Sequence, residues 1–108
     1  MSRYLFIQSQ DPFTETRTKS QFDLAKRLVS AGESVVLLLV QNAVTAARYG
    51  AKCDQFDSLS RFGVTLLADQ FSLRQREITD KQLKPIVNPV DIGFVIDAML
   101  DGYKVIWN

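Results

Sequence analysis

The chain has 108 residues, 46% of them hydrophobic and 23% charged, and its 13 basic and 12 acidic residues leave a net charge of +1. That is a globular composition, neither disordered nor membrane-spanning, and its interspersed charges offer no basic patch for direct nucleic-acid contact or for an anionic membrane. With no His and a single Cys, Cys53, the sequence excludes His-based acid/base catalysis, Ser-His-Asp triads, zinc sites and an intramolecular disulfide.

Arg3 to Gln8 reads as a first strand, short and aromatic. Its apolar run, Tyr4 to Ile7, is far shorter than a signal-peptide core, so we expect a cytoplasmic protein with no membrane association. Asp11-Pro12 ends the strand and opens a polar loop, Ser9 to Thr18, long enough to hold a ligand or partner. Thr18 to Gln21 matches a capping box, and Phe22, Ala25, Leu28 and Val29 follow at helical spacing until Gly32.

Val35 to Val40 is a run of six apolar residues, β-branched at its start and too short for a helix. Such a run is a strand covered on both faces, which implies a parallel sheet. A short helix capped by Asn42 comes next, carries Val44, Ala46 and Ala47, and ends at Gly50. Asp54 caps a further helix with Phe56, Leu59 and Phe62 turned inward and Gly63 closing it. Val64 to Ala68 is the third strand, and Asp69 caps a helix on which Phe71, Gln75 and Ile78 share a face. Thr79 to Lys84 is a polar loop, Pro85 to Val87 a short fourth strand, and Asn88-Pro89 an N-cap followed by Pro at the first helical position. The helix from Pro89 to Asp101 is apolar nearly all round, as expected of one packed on the sheet on one side and on a second subunit on the other through Ile92, Val95, Ile96 and Met99. Tyr103 to Trp107 is a fifth strand. The expected fold is one domain over residues 1–108, a three-layer α/β/α arrangement around a mostly parallel five-stranded sheet.

In such sheets the site lies beyond the carboxyl ends of the strands. Those ends present Gln8 and Ser9, Gln41 and Asn42, Asp69 and Gln70, and Asn88. Of these, Ser9, Gln41, Asn42, Asp69 and Gln70 are the candidate binding residues. Amides bind and orient but do not transfer protons at neutral pH, so the edge reads as a recognition surface without a catalytic residue. The competing structural account makes Asn42, Asp69 and Asn88 simple helix caps. Receiver domains place a phosphoacceptor Asp where Asp69 stands, but their chemistry needs an acidic pair after the first strand to hold a divalent metal, and this chain has Gln8-Ser9 there. Cys53 is the only candidate thiol; Lys52 and the helix start favour its thiolate and Asp54 opposes it. The five glycines form no phosphate-binding spacing, and no metal or cofactor is expected.

Two segments resemble a known family. Leu37 to Ala47, LLLVQNAVTAA, is similar to the apolar strand, Gln-Asp-Gly-Val and small-residue helix of the DsrE/DsrF/DsrH sulfur-relay superfamily. Leu67 to Ile78, LADQFSLRQREI, is similar to the Leu-x-x-Asp-Leu-x-x-Arg-Gly-Leu segment of its DsrH/TusB-like branch, and Val90 to Val95 and Trp107 also fit. Glu77 in place of a Gly, Asn42-Ala43 in place of Asp-Gly, and a DsrE-like first strand and loop over residues 6–16 depart from that branch. The resemblance implies a five-stranded α/β/α core and homo-oligomers, or hetero-oligomers with related DsrE/DsrF-like subunits. It also implies that the persulfide Cys of the sulfur-carrying subunits belongs after the third strand, at the position of Asp69. The expectation is therefore a non-catalytic subunit supporting persulfide transfer in tRNA thiolation or sulfur oxidation. Two alternatives stand beside it: a sulfane-sulfur carrier working through Cys53, and a small-ligand-binding homo-oligomer unrelated to sulfur.

Overall fold

The computed structural model describes residues 2–13 and 17–107. In order it contains β1 (Arg3–Gln8), α1 (Arg17–Ser30), β2 (Ser34–Leu39), a 3-10 segment (Gln41–Ala47) and α2 (Asp54–Leu59), which runs on as a 3-10 turn (Ser60–Phe62). Then come β3 (Thr65–Asp69), α3 (Gln70–Gln75), a second 3-10 turn (Asp80–Gln82), β4 (Val87–Val90), α4 (Gly93–Leu100) and β5 (Lys104–Trp107). All strand pairs are parallel, in the order β4-β3-β2-β1-β5, with β2 at the centre as its doubly apolar run requires.

The topology decides which face each helix covers. From β1 to β4 the chain steps steadily toward one edge, so right-handed crossovers put α1, α2 and α3 on one face. The link from β4 to β5 runs back across the whole sheet, and the same handedness puts α4 on the other face. The side chains follow this division. Phe6, Leu37, Leu39, Leu66 and Ala68 join Phe22, Ala25, Phe56, Leu59 and Leu73 in one core cluster. Their strand neighbours Leu5, Ile7, Val36, Leu38 and Leu67 pack with Ala98 in a smaller one, flanked by Phe94, Val95 and Val105. The layers are unequal: three helices and the 3-10 segments lie over one face, and the eight residues of α4 over the other.

Several boundaries differ from those expected of the sequence. α1 begins at Arg17, so Thr18 lies inside the helix and not at its cap position; residues 14–16, part of the polar loop, lie outside the described residues. Asn42 is not a cap, because the segment after β2 is a 3-10 helix that already begins at Gln41. Asp54 is likewise the first helical residue, with Cys53 at the cap position. Phe62 is half exposed, its ring under the Lys26 ammonium at 5.1 Å, instead of pointing inward. On α3 the buried side chains are Ser72 and Leu73, whereas Phe71 and Gln75 are exposed, and Ile78 is buried beyond the helix end.

The largest shift is at Asn88-Pro89. These residues do not start a helix but belong to β4, opposite Leu67 and Ala68, and α4 begins four residues later at Gly93. Pro is tolerated there because β4 is an edge strand with no further neighbour to receive an N–H. Gly63 (φ 97°) and Gly102 (φ 85°) take left-handed backbone where the helices before β3 and β5 end, as their glycines predict.

Candidate functional site: a cleft at the carboxyl ends of the strands

β2 and β3 end side by side, and the turns that leave them are tied together. Asp69 closes β3 and caps α3, its Oδ2 accepting the Ser72 N–H at 2.9 Å and the Ser72 hydroxyl at 2.7 Å. The same Ser72 Oγ accepts the backbone N–H of Gln41 at 2.8 Å, which holds the turn after β2. Gln41 sits at φ 51°, a left-handed conformation that a non-glycine residue keeps only where its surroundings demand it. Arg76 extends the network by donating to Asn42 Oδ1 at 2.8 Å and to the Ser72 carbonyl at 3.2 Å.

Buried Ser72 is thus the pin of the site. Ser72→Ala removes both hydroxyl bonds and strands the Gln41 N–H, so it should cost about 1–3 kcal/mol. Urea denaturation of the two proteins measures this, and an unchanged midpoint would show that the pin carries nothing.

Beside this network, on the α4 face, lies a cleft of about 250 Å3. Ile7, Leu38 and Val40 form its floor, Phe71, Ile92, Val95 and Trp107 its walls, and Gln41, Asp69, Ser72 and Gln75 supply its polar groups. It lies past the carboxyl ends of the strands, where open α/β sheets hold ligands.

The candidate binding residues are only partly brought together. Gln41 and Asp69 line the cleft; Gln70 lies on an adjoining groove with Arg74 and Asp91; Asn42 faces Arg76 outside it; Ser9 is half-buried beyond β1 and is not a lining residue. Ile92 and Val95 turn into the cleft, while Ile96 and Met99 lie exposed on α4. Ser72 is the site residue that sequence reasoning misses. A Ser three residues after a capping Asp is its only local signal.

Gln8, expected at the strand-end rim, is instead fully buried, donating to the Gln10 carbonyl at 3.2 Å, and its Oε1 has no partner among the described residues. Asn88 is exposed on β4. Cys53 is half-buried against the larger core cluster, on the face away from α4. Burial pushes its thiol above the ordinary value; a backbone hydrogen bond at Phe56 and the Lys84 charge pull the other way, and Asp57 and Asp54 push it higher. Among the described residues no group of three or more His, Cys, Asp or Glu could hold a metal ion, and no helix is long and apolar enough to cross a membrane.

An all-parallel five-stranded α/β sheet with its cleft beyond the strand ends is a fold class shared by many chemistries, so the family must come from comparison. The chain belongs to the DsrE/DsrF-like family, whose model matches residues 2–107. Membership suggests a function related to sulfur relay. No curated protein matches the sequence. Among solved structures the chain is similar to the protein of unknown function MTH1491 from Methanobacterium thermoautotrophicum, with 17% identity and a TM-score of 0.88 over 100% of both chains. It is also similar to the ychN protein from E. coli, with 19% identity and a TM-score of 0.88 over 100% of both chains. At these identities the likeness establishes the fold.

Proposed function

We propose that this chain is a non-catalytic subunit of a sulfur-relay complex, close to the DsrH/TusB-like branch, that supports persulfide transfer by cysteine-bearing relatives in tRNA thiolation or sulfur oxidation. One observation carries the reading. The residue at the end of β3, where the resemblance places the persulfide cysteine, is Asp69, and its carboxylate is engaged in capping α3. A carboxylate there cannot hold sulfane sulfur. The chain's contribution is then shape and contact, and the outer face of α4, where Ile96, Met99 and Leu100 are exposed together, is the surface proposed to meet another subunit.

The rival carrier reading needs Cys53 as a reactive thiolate. Its half-burial and raised pKa oppose that, because the thiolate is the nucleophile. Incubation with a persulfide donor followed by mass spectrometry is expected to leave Cys53 unmodified. At pH 8 its alkylation in the folded protein should be slower than in urea. A persulfide on Cys53, with onward transfer abolished by Cys53→Ala, would replace the subunit reading with the carrier.

A further inference from the structure

We propose that the cleft beyond β1, β2 and β3 binds a small organic ammonium, an amine with a flat or branched apolar body, independently of any role in sulfur relay. Three features select a cation. Among the described residues Asp69 supplies the only charge on the cleft wall, and it has one oxygen to spare: Oδ2 takes both bonds from Ser72, while Oδ1 has no hydrogen-bond partner there. Among the described residues no Lys or Arg lines the cleft, and the one ion pair, Lys84 with Asp57, lies elsewhere. Arg74, on the adjoining groove, makes no ion pair with Asp69 among the described residues.

The third feature is the pair of aromatic walls. Phe71 is 65% exposed and Trp107 66% exposed, though both line a cleft that contains a carboxylate. Ring faces attract ammonium groups, so a cleft lined by one carboxylate and two rings offers both ion pairing and cation-π attraction to an amine. Ile7, Leu38 and Val95 leave an apolar bed for the rest of the molecule. A volume of about 250 Å3 lies just below the usual range of ligand pockets, roughly 300–1,000 Å3, which suits a small metabolite better than a peptide. The same carboxylate repels anions, so carboxylates and phosphates are disfavoured.

Trp107 is the only tryptophan in the sequence and stands in the cleft wall, so its fluorescence reports occupancy directly. Phenethylammonium should change its emission saturably. The uncharged 2-phenylethanol and the anionic 3-phenylpropionate should bind at least about tenfold more weakly. Asp69→Asn keeps a competent helix cap, since Asn caps as well as Asp, and should weaken the amine by at least about tenfold while leaving the alcohol unchanged. Phe71→Ala, at an exposed position that the core does not need, should weaken the amine several-fold and serves if the Asn variant fails to fold. No saturable response to the amine, equal binding of the alcohol or the carboxylate, or an amine affinity that neither variant changes would each overturn the proposal.

Discussion

Phe56→Ala is expected to destabilise the protein by about 3–5 kcal/mol, the usual cost of emptying a fully buried aromatic site. Phe56 has no exposed surface, packs against Phe22 with ring centroids 6.1 Å apart, and lies 5.6 Å beneath the Lys84 ammonium. That lysine is itself nearly buried and reaches Asp57 at 2.7 Å, so losing the ring removes both an aromatic contact and the wall that shields an ion pair. The melting temperature should fall by at least roughly 12 °C, at roughly 4 °C or more per kcal/mol for a domain of this size. Phe71→Ala is the matched control: the same chemistry at an exposed position should change stability by no more than about 0.5 kcal/mol. Similar losses in the two variants would refute the assignment of Phe56 to the core and Phe71 to the cleft mouth.

The second large effect concerns association. Ile96, Met99 and Leu100 recur at helical spacing on α4 and leave an apolar strip in which Leu100 is 81% exposed. If this strip meets another subunit, Ile96→Asp places a charge where water is excluded, a cost of several kcal/mol that dissociates most homo-oligomers at micromolar concentration. Sedimentation should then give an oligomer for the parent chain and a 12.2 kDa monomer for the variant, with unchanged circular dichroism because Ile96 takes no part in the core. A monomeric parent chain would remove the basis for the proposed interface.

Much of the fold is legible because a strand buried on both faces writes itself as an unbroken apolar run. Val35 to Leu39 could only be central, and it is. The choices that stay hidden in the sequence are those made by distant partners. Asn88-Pro89 has the local chemistry of a helix start, yet its pairing with Leu67 and Ala68 makes it an edge strand, and that ladder lies about twenty residues away in sequence. Asn42 has the look of a cap, but its side-chain oxygen is taken by Arg76, thirty-four positions on. Spacing turns Phe71 and Phe62 inward, although their helices are only a turn or two long and carry too few residues for periodicity to fix a face. At the site, Asp69 and Gln41 are found because strand ends are predictable. Ser72 and the lining from Ile7, Leu38 and Trp107 are not, because they converge from four elements.

The unequal covering of the two sheet faces also has a consequence during synthesis. By the time residue 87 has been made, every helix over the larger core cluster exists, and that half can close. The opposite face cannot. Leu5, Ile7, Val36 and Leu38 wait for α4, and β1 waits for β5, whose Lys104 pairs with Tyr4 across one hundred positions. At about 5–20 residues per second the twenty residues from there to Trp107 take about one to four seconds, during which a nascent chain shows an oily plane and an open strand edge. That interval is when a chaperone would find it, and a subunit meeting it then would encounter a bare sheet where the finished protein offers α4.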